Sequence, residues 1–202
     1  MSAQASLATR PLSREIPDNR SPGWWGMVLL IASEATLFAA FLGSYFYLLS
    51  GSSEWPPDGI EPPKLPLPIV ATVLLLGSSL PMLIADSRIR RGDLRSMQLA
   101  LAASFIMAAV FVGIQIYEYR QETFHIKTNS YGSLFYSITG LHGIHVLTAL
   151  AMNAYLQLRA WRGHVSERKR LAVTVIGMYW HFVDVVWIFI FVSLYLSPRW
   201  LP

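Results

Sequence analysis

Apolar residues in this chain run in five long blocks, roughly at 24 to 49, 67 to 86, 98 to 119, 133 to 158 and 171 to 196. Each block is close to the roughly 20 residues that a helix rising about 1.5 Å per residue needs to cross a hydrocarbon layer of about 30 Å. A core helix of a soluble domain has no reason to be apolar on every face over that length. The pattern predicts an all-α fold: one transmembrane bundle of five helices over 24 to 196, after a polar segment at 1 to 23 and before a short tail at 197 to 202. Residues 1 to 23 lack the apolar region of a cleavable signal peptide, and the first block is long enough to span by itself. Gly77 and Pro81 predict a bend in the second helix. The small pairs Ala109/Gly113 and Gly140/Gly143, each about one turn apart, predict places where neighbouring helices approach closely.

Charge placement gives these helices an expected direction. Twelve of the 16 Lys and Arg residues fall in the N-terminal segment (Arg10, Arg14, Arg20), the second connection (Arg88, Arg90, Arg91, Arg95) and the fourth (Arg159, Arg162, Arg168, Lys169, Arg170). The alternate connections and the tail hold Lys64, Arg120, Lys127 and Arg199. The positive-inside rule therefore predicts a cytoplasmic N-terminus and a C-terminus on the outer face. A missed or spurious span would scramble this alternation, so it also supports the helix number. Trp24, Trp25, Tyr117, Tyr119, Tyr131, Trp161, Tyr195 and Trp200 lie at predicted boundaries and fit an interfacial aromatic belt.

Composition narrows the chemistry. Of the 202 residues, 53% are hydrophobic and 14% charged, with a mean hydropathy of +0.41, as expected of a chain solvated by lipid. The net charge of +4 resides in topology signals, with no basic groove or stripe, so nucleic acid is not an expected partner. With no cysteine, disulfides, thiolate metal centres and cysteine nucleophiles are excluded.

Five ionisable side chains interrupt the apolar blocks near mid-depth. Glu34 lies about ten residues into the first, roughly 15 Å from its start. An ionised carboxylate there costs on the order of 2.5 to 3.5 kcal/mol on insertion scales, so it is expected to be protonated, hydrogen-bonded or both. His142 and His145 share one face of the fourth helix, and His181 and Asp184 share one face of the fifth. Counted from the cytoplasmic ends, all five sit near mid-depth and predict an interior polar layer. Such a layer serves a neutral structural role, tying helices together, or carries protons or ions. Two histidines on different helices could also ligate a haem, and His with Glu or Asp a divalent ion, the signature of a small haem protein or transporter. Trp180, Phe182 and Trp187 crowd His181 where a porphyrin would need small residues, so no metal site and no catalytic residue is expected on this chain.

Four segments, in order, resemble cytochrome c oxidase subunit III: GMVLLIASEATLFAAFLGSYFY at 26 to 47, GIEPPKLPLP at 59 to 68, EYRQETFHIKTNSYGSLFYSITGLHGIHV at 118 to 146, and YWHFVDVVWIFIFVSLY at 179 to 195. The resemblance covers nearly all of residues 25 to 196. It implies a non-redox accessory subunit of a proton-pumping, oxygen-reducing haem-copper oxidase in a bacterial plasma membrane. Such a subunit packs on subunit I alongside subunit II and further small subunits, with haem and copper on those partners. It also implies bound phospholipid, an apolar route for oxygen, and support of proton uptake and durability in subunit I. By motif position Glu34, His142, His145, His181 and Asp184 inherit the family's polar core, Glu34 its membrane-buried carboxyl group, and Glu34 and Arg159 candidate lipid contacts. Longer members carry two further helices ahead of the equivalent of the first span here, and these form one arm of a lipid cleft. The accessory chains of quinol oxidases and nitric oxide reductases share the length and pattern, and leave the electron donor open.

Overall fold

The computed structural model describes residues 21–57, 59–164 and 171–200, which are predominantly helical. The basic residues at 10, 14, 20 and 168 to 170, and the polar segment before Ser21, lie outside the described residues. Helix α1 spans Pro22–Ser50, α2 Pro66–Gly77, α3 Ser79–Arg90, α4 Leu94–Gln121, α5 Ser130–Trp161 and α6 Leu171–Ile190. A π-helical turn, Phe191–Leu196, and a short α7, Ser197–Trp200, continue α6. With α2 and α3 taken as one unit and the last three elements as another, five helices among the described residues are long and apolar enough to cross a membrane.

Local chemistry explains the helix ends. Ser21 caps α1, its side chain accepting from the Trp24 amide, and Pro22 stands where a helix needs no amide donor. Asp93 Oδ1 accepts from the Ser96 amide at 3.1 Å to start α4, and Asn129 Oδ1 accepts from Gly132 at 3.0 Å to start α5. Outside the spans, the Ser96 hydrogen bonds hold the Asp93 carboxyl below the ordinary carboxylate range, and nearby Arg88 adds to that. Gly92, at φ 73°, turns the chain after α3 through the left-handed region, where a Cβ is disfavoured.

The expected bend in the second span is a break. Pro81 has no amide to offer the Gly77 carbonyl, and its ring crowds that carbonyl, so the helix parts at Ser78. Beyond the predicted end at 196, the last helix runs on to Trp200. Ser197 holds it by donating to the Ser193 carbonyl at 2.6 Å, and Arg199 donates to the carbonyls of Tyr195 and, in the loop between α1 and α2, Pro63.

Helix α6 is the bundle's centre, touching α1, α2, α3 and α5, and half of its most apolar stretch is buried. Helix α1 is peripheral: 6% of its most apolar stretch is buried within the chain. Trp25, Tyr117, Trp161 and Trp200 are exposed, as a belt requires. Tyr131 and Tyr195 are not belt residues. Both are fully buried, Tyr131 among Trp55, Phe124 and Phe135, and Tyr195 against Phe135 and Trp187. The small-residue expectation also needs correcting, since a Cβ at Gly113, Gly140 or Gly143 would meet nothing within 4 Å. The close approaches fall elsewhere: at Gly77, where Met107 Cε would lie 3.0 Å from a Cβ, and at Gly132, where the His125 carbonyl oxygen would lie at 2.5 Å.

Candidate functional site: a divided polar layer

The five predicted residues resolve into three environments. In the first, α5 brings His145 to Glu34 on α1, with Nε2 and Oε2 3.1 Å apart. The other ring nitrogen, Nδ1, lies 2.8 Å from the Leu141 carbonyl oxygen. A carbonyl only accepts, so Nδ1 carries a proton. Nε2 then either accepts from a protonated Glu34 or donates to an ionised one. Either way the pair holds a single proton between Nε2 and Oε2 and has no net charge, which is how a carboxyl group is tolerated at this depth. The pair opens onto a groove of about 290 Å³ lined by Leu30, Leu37, Ile144, Met152 and Tyr179.

The second environment is built at the helix break. Ser79 donates to Asp184 Oδ2, and its oxygen lies 2.8 Å from His181 Nδ1. Because the serine has one proton and gives it to Asp184, His181 donates from Nδ1. Next to it, Trp180 Nε1 donates to Ser78 Oγ at 2.9 Å, and about two turns further on Trp187 Nε1 donates to Thr72 Oγ1 at 2.9 Å. The break in the second span thus supplies two hydroxyls that stitch it to the last. Ser78 and Ser79 were not singled out in the sequence, although two adjacent serines ahead of a mid-span proline are a readable signal of polar contacts.

His142 stands apart. It is 1% exposed and enclosed by Phe38, Phe111 and Trp187, with ring centroids 6.4, 5.9 and 5.0 Å away. Neither ring nitrogen has a hydrogen-bond partner. The expectation of a polar layer that ties helices together therefore fails at this residue, whose neighbours are aromatic rings, and Asp184 Oδ1 is likewise buried without a partner among the described residues.

A further buried group was missed. Gln115 Nε2 and Tyr195 OH donate to Glu118 Oε2, at 3.0 and 3.1 Å, where α4 meets the π-turn. Gln115 interrupts the third apolar block three residues before Glu118, the same spacing that drew attention to His142 and His145. Glu118 also borders a cleft of about 370 Å³ with Glu61, Lys64 and Glu122. Burial pushes the Glu122 carboxyl, outside the spans, above its ordinary value, and Lys64 partly offsets this.

Among the described residues, no group of three or more His, Cys, Asp or Glu side chains is arranged to hold a metal ion. His145 has both nitrogens engaged, His181 is bonded to Ser79, and His142 is walled by rings, so the histidines do not form an axial pair for a porphyrin. Among the described residues, Arg159 reaches Tyr155 on its own helix, with Nη1 3.5 Å from the phenol oxygen and the guanidinium carbon 5.7 Å from the ring centroid.

A polytopic helical membrane protein in which Glu34 with His145 and Ser79 with His181 and Asp184 tie helices together is the class this geometry defines. The family model for cytochrome c oxidase subunit III matches residues 21–199, and the chain belongs to that family. It is 34% identical to the cytochrome c oxidase subunit 3 of Thermostichus vulcanus over 175 residues, which is 86% of this chain and 87% of the relative. The subunit 3 of Synechocystis sp. is 32% identical over 94% of this chain and 87% of the relative. The subunit 3 of Arabidopsis thaliana is 37% identical over 85% of this chain and 67% of the relative.

Proposed function

We propose that this chain is the non-redox accessory subunit of an aerobic terminal oxidase in a bacterial plasma membrane. It packs on the haem-copper subunit I, alongside subunit II, with its N-terminus in the cytoplasm, and holds phospholipid. The observation that carries this reading is the Glu34–His145 pair at the base of an apolar groove on the peripheral helix α1. A net-neutral pair tolerates hydrocarbon, so lipid tails can lie along Leu30, Leu37 and Ile144 over it. The guanidinium of Arg159, in no ion pair among the described residues, is suited to a lipid phosphate. Oxygen is small and apolar and partitions into a lipid-filled groove without a ligating residue. Haem, copper and the oxygen chemistry then belong to the partner chains, and this chain supplies packing, a dry path and support of proton uptake in subunit I.

The test is to deplete a purified oxidase of this chain. The remaining complex is expected to keep its haem spectrum and initial rate of oxygen reduction but to inactivate sooner during turnover. Immediate loss of electron transfer in an otherwise intact complex would contradict the accessory role.

A further inference from the structure

Helix α6 is the centre of the bundle, yet one stripe of it is left open. His181 is only partly buried, and Val185, Ile188 and Phe189, which follow at i+4, i+7 and i+8 on the same face, are exposed. Beside His181 stands Ser79 on α3, and Leu83, one turn beyond that serine, is exposed as well. His181 lies about ten residues after Leu171, so about 15 Å into a helix that crosses the layer, and is level with its middle. One atom says what this face needs. Nδ1 of His181 is held 2.8 Å from Ser79 Oγ, whereas Nε2 has no hydrogen-bond partner among the described residues. Unlike the two nitrogens of His142, it is not sealed inside the chain. Because Nδ1 carries the proton of the neutral imidazole, Nε2 offers its lone pair outward from the chain.

We infer that the open side of α6 seats one transmembrane helix of a neighbouring subunit, whose hydroxyl, amide or indole group donates to His181 Nε2. Ionisable residues within membrane spans almost always face the interior of a bundle, so a face that presents one outward from this chain is interior to a larger bundle. Histidines at such contacts are bonded across the helix interface. A phospholipid answers only half of the pattern. Its tails would cover Val185, Ile188 and Phe189 but carry no donor, and its headgroup lies about 15 Å away, at the edge of a hydrocarbon layer about 30 Å thick. The donor is a neutral one, because Lys or Arg at this depth would bring a charge that nothing on this face neutralises.

This inference rests on the reading of the chain as a subunit of an assembly, and the test separates the two. The photoreactive amino acid p-benzoylphenylalanine is incorporated in place of Phe189, an exposed ring two turns from His181, so that little bulk is added. Membranes holding the assembled complex are irradiated before solubilisation. The expected product is a covalent adduct between this chain and one other polypeptide, at a site within a transmembrane span of that polypeptide. Adducts confined to phospholipid in a complex that still purifies with its haem-bearing partner would overturn the inference while leaving the accessory role standing. A chain that never purifies with a haem-bearing partner would overturn both. The hydrogen bond is read separately from His181→Asn and His181→Gln. Asparagine keeps a donor near the position of Nδ1 for Ser79 but has nothing at the position of Nε2, whereas glutamine reaches that position. His181→Asn is expected to lower retention of the chain in the complex about threefold, equivalent to about 0.6 kcal/mol, the average for a hydrogen bond between membrane helices, with His181→Gln closer to wild type. Wild-type retention of His181→Asn would overturn the bond to Nε2 and leave that nitrogen to water.

Discussion

Replacing Glu34 by Ala tests the physical core of this bundle. The substitution removes the group 3.1 Å from His145 Nε2 while leaving Nδ1 on the Leu141 carbonyl. Alanine is the better helix former, so any loss of stability comes from the contact and not from α1 itself. Hydrogen bonds between membrane helices average about 0.6 kcal/mol, with an upper end near 1.7. His145 is largely buried, its side chain 10% exposed, and Glu34 is 28% exposed, so only one side of the pair is open to the chain's surroundings. A cost of about 1 to 1.5 kcal/mol follows for Glu34→Ala, inside that measured range. Glu34→Gln keeps a donor for an unprotonated Nε2 and is expected to cost less than about 0.5 kcal/mol, because the bond is exchanged and not lost. The assay is the thermal midpoint at which this chain dissociates from the detergent-solubilised complex, read for Glu34→Ala, His145→Ala and the double variant. A coupling energy of at least about 0.6 kcal/mol is expected. Additive effects of the two single variants would refute the pair as a structural tie.

The remaining expectations concern other parts of the bundle. Gly132→Ala drives a Cβ to 2.5 Å from the His125 carbonyl oxygen, which backbone alone must relieve, and a loss of about 1 to 3 kcal/mol, typical of overpacking, should appear in thermal unfolding. Gly26→Ala, where a Cβ meets nothing within 4 Å, is expected to unfold like the wild type in the same assay. Asp93→Ala removes the cap of α4 and should speed amide exchange at Ser96, whereas Asp93→Ser restores protection. The Asp93 carboxyl is held below its ordinary value near 3.8, so its stabilisation is complete above that pH and disappears as acid protonates it in the folded chain. Protection at Ser96 should therefore fall below about pH 4 in the wild type and be flat with pH in Asp93→Ala. Ser79→Ala leaves His181 Nδ1 and Asp184 Oδ2 without their shared partner and should cost about 1 to 3 kcal/mol, the penalty of unpaired buried groups, with Ser79→Thr closer to wild type.

The backbone plan was legible because it follows from length and polarity alone. Five blocks near 20 residues leave little freedom, and Pro81 four residues after Gly77 locates the break. The polar layer was legible as a set of residues but not as an arrangement. Helical spacing pairs His142 with His145 and His181 with Asp184, yet it does not say that His145 turns to α1, that Ser79 stands between His181 and Asp184, or that His142 faces only aromatic rings. Those outcomes depend on helix rotation, which the break at Ser78 and the π-turn at Phe191–Leu196 both alter. Tyr195 shows the effect: placed near a span end it reads as an interfacial anchor, but the wider turn carries its hydroxyl inward to Glu118. Gly140 and Gly143 show the converse: small residues about one turn apart read as a close approach, yet among the described residues a Cβ at either would meet nothing within 4 Å.

The most direct test of a redox-silent subunit is affinity purification of this chain in mild detergent, followed by separation of the copurifying polypeptides and a visible spectrum of each. The expected result is a haem-bearing partner in constant ratio, with this chain colourless once parted from it. A stoichiometric chromophore that stays with this chain, or a preparation in which no haem-bearing chain accompanies it, would contradict the assignment.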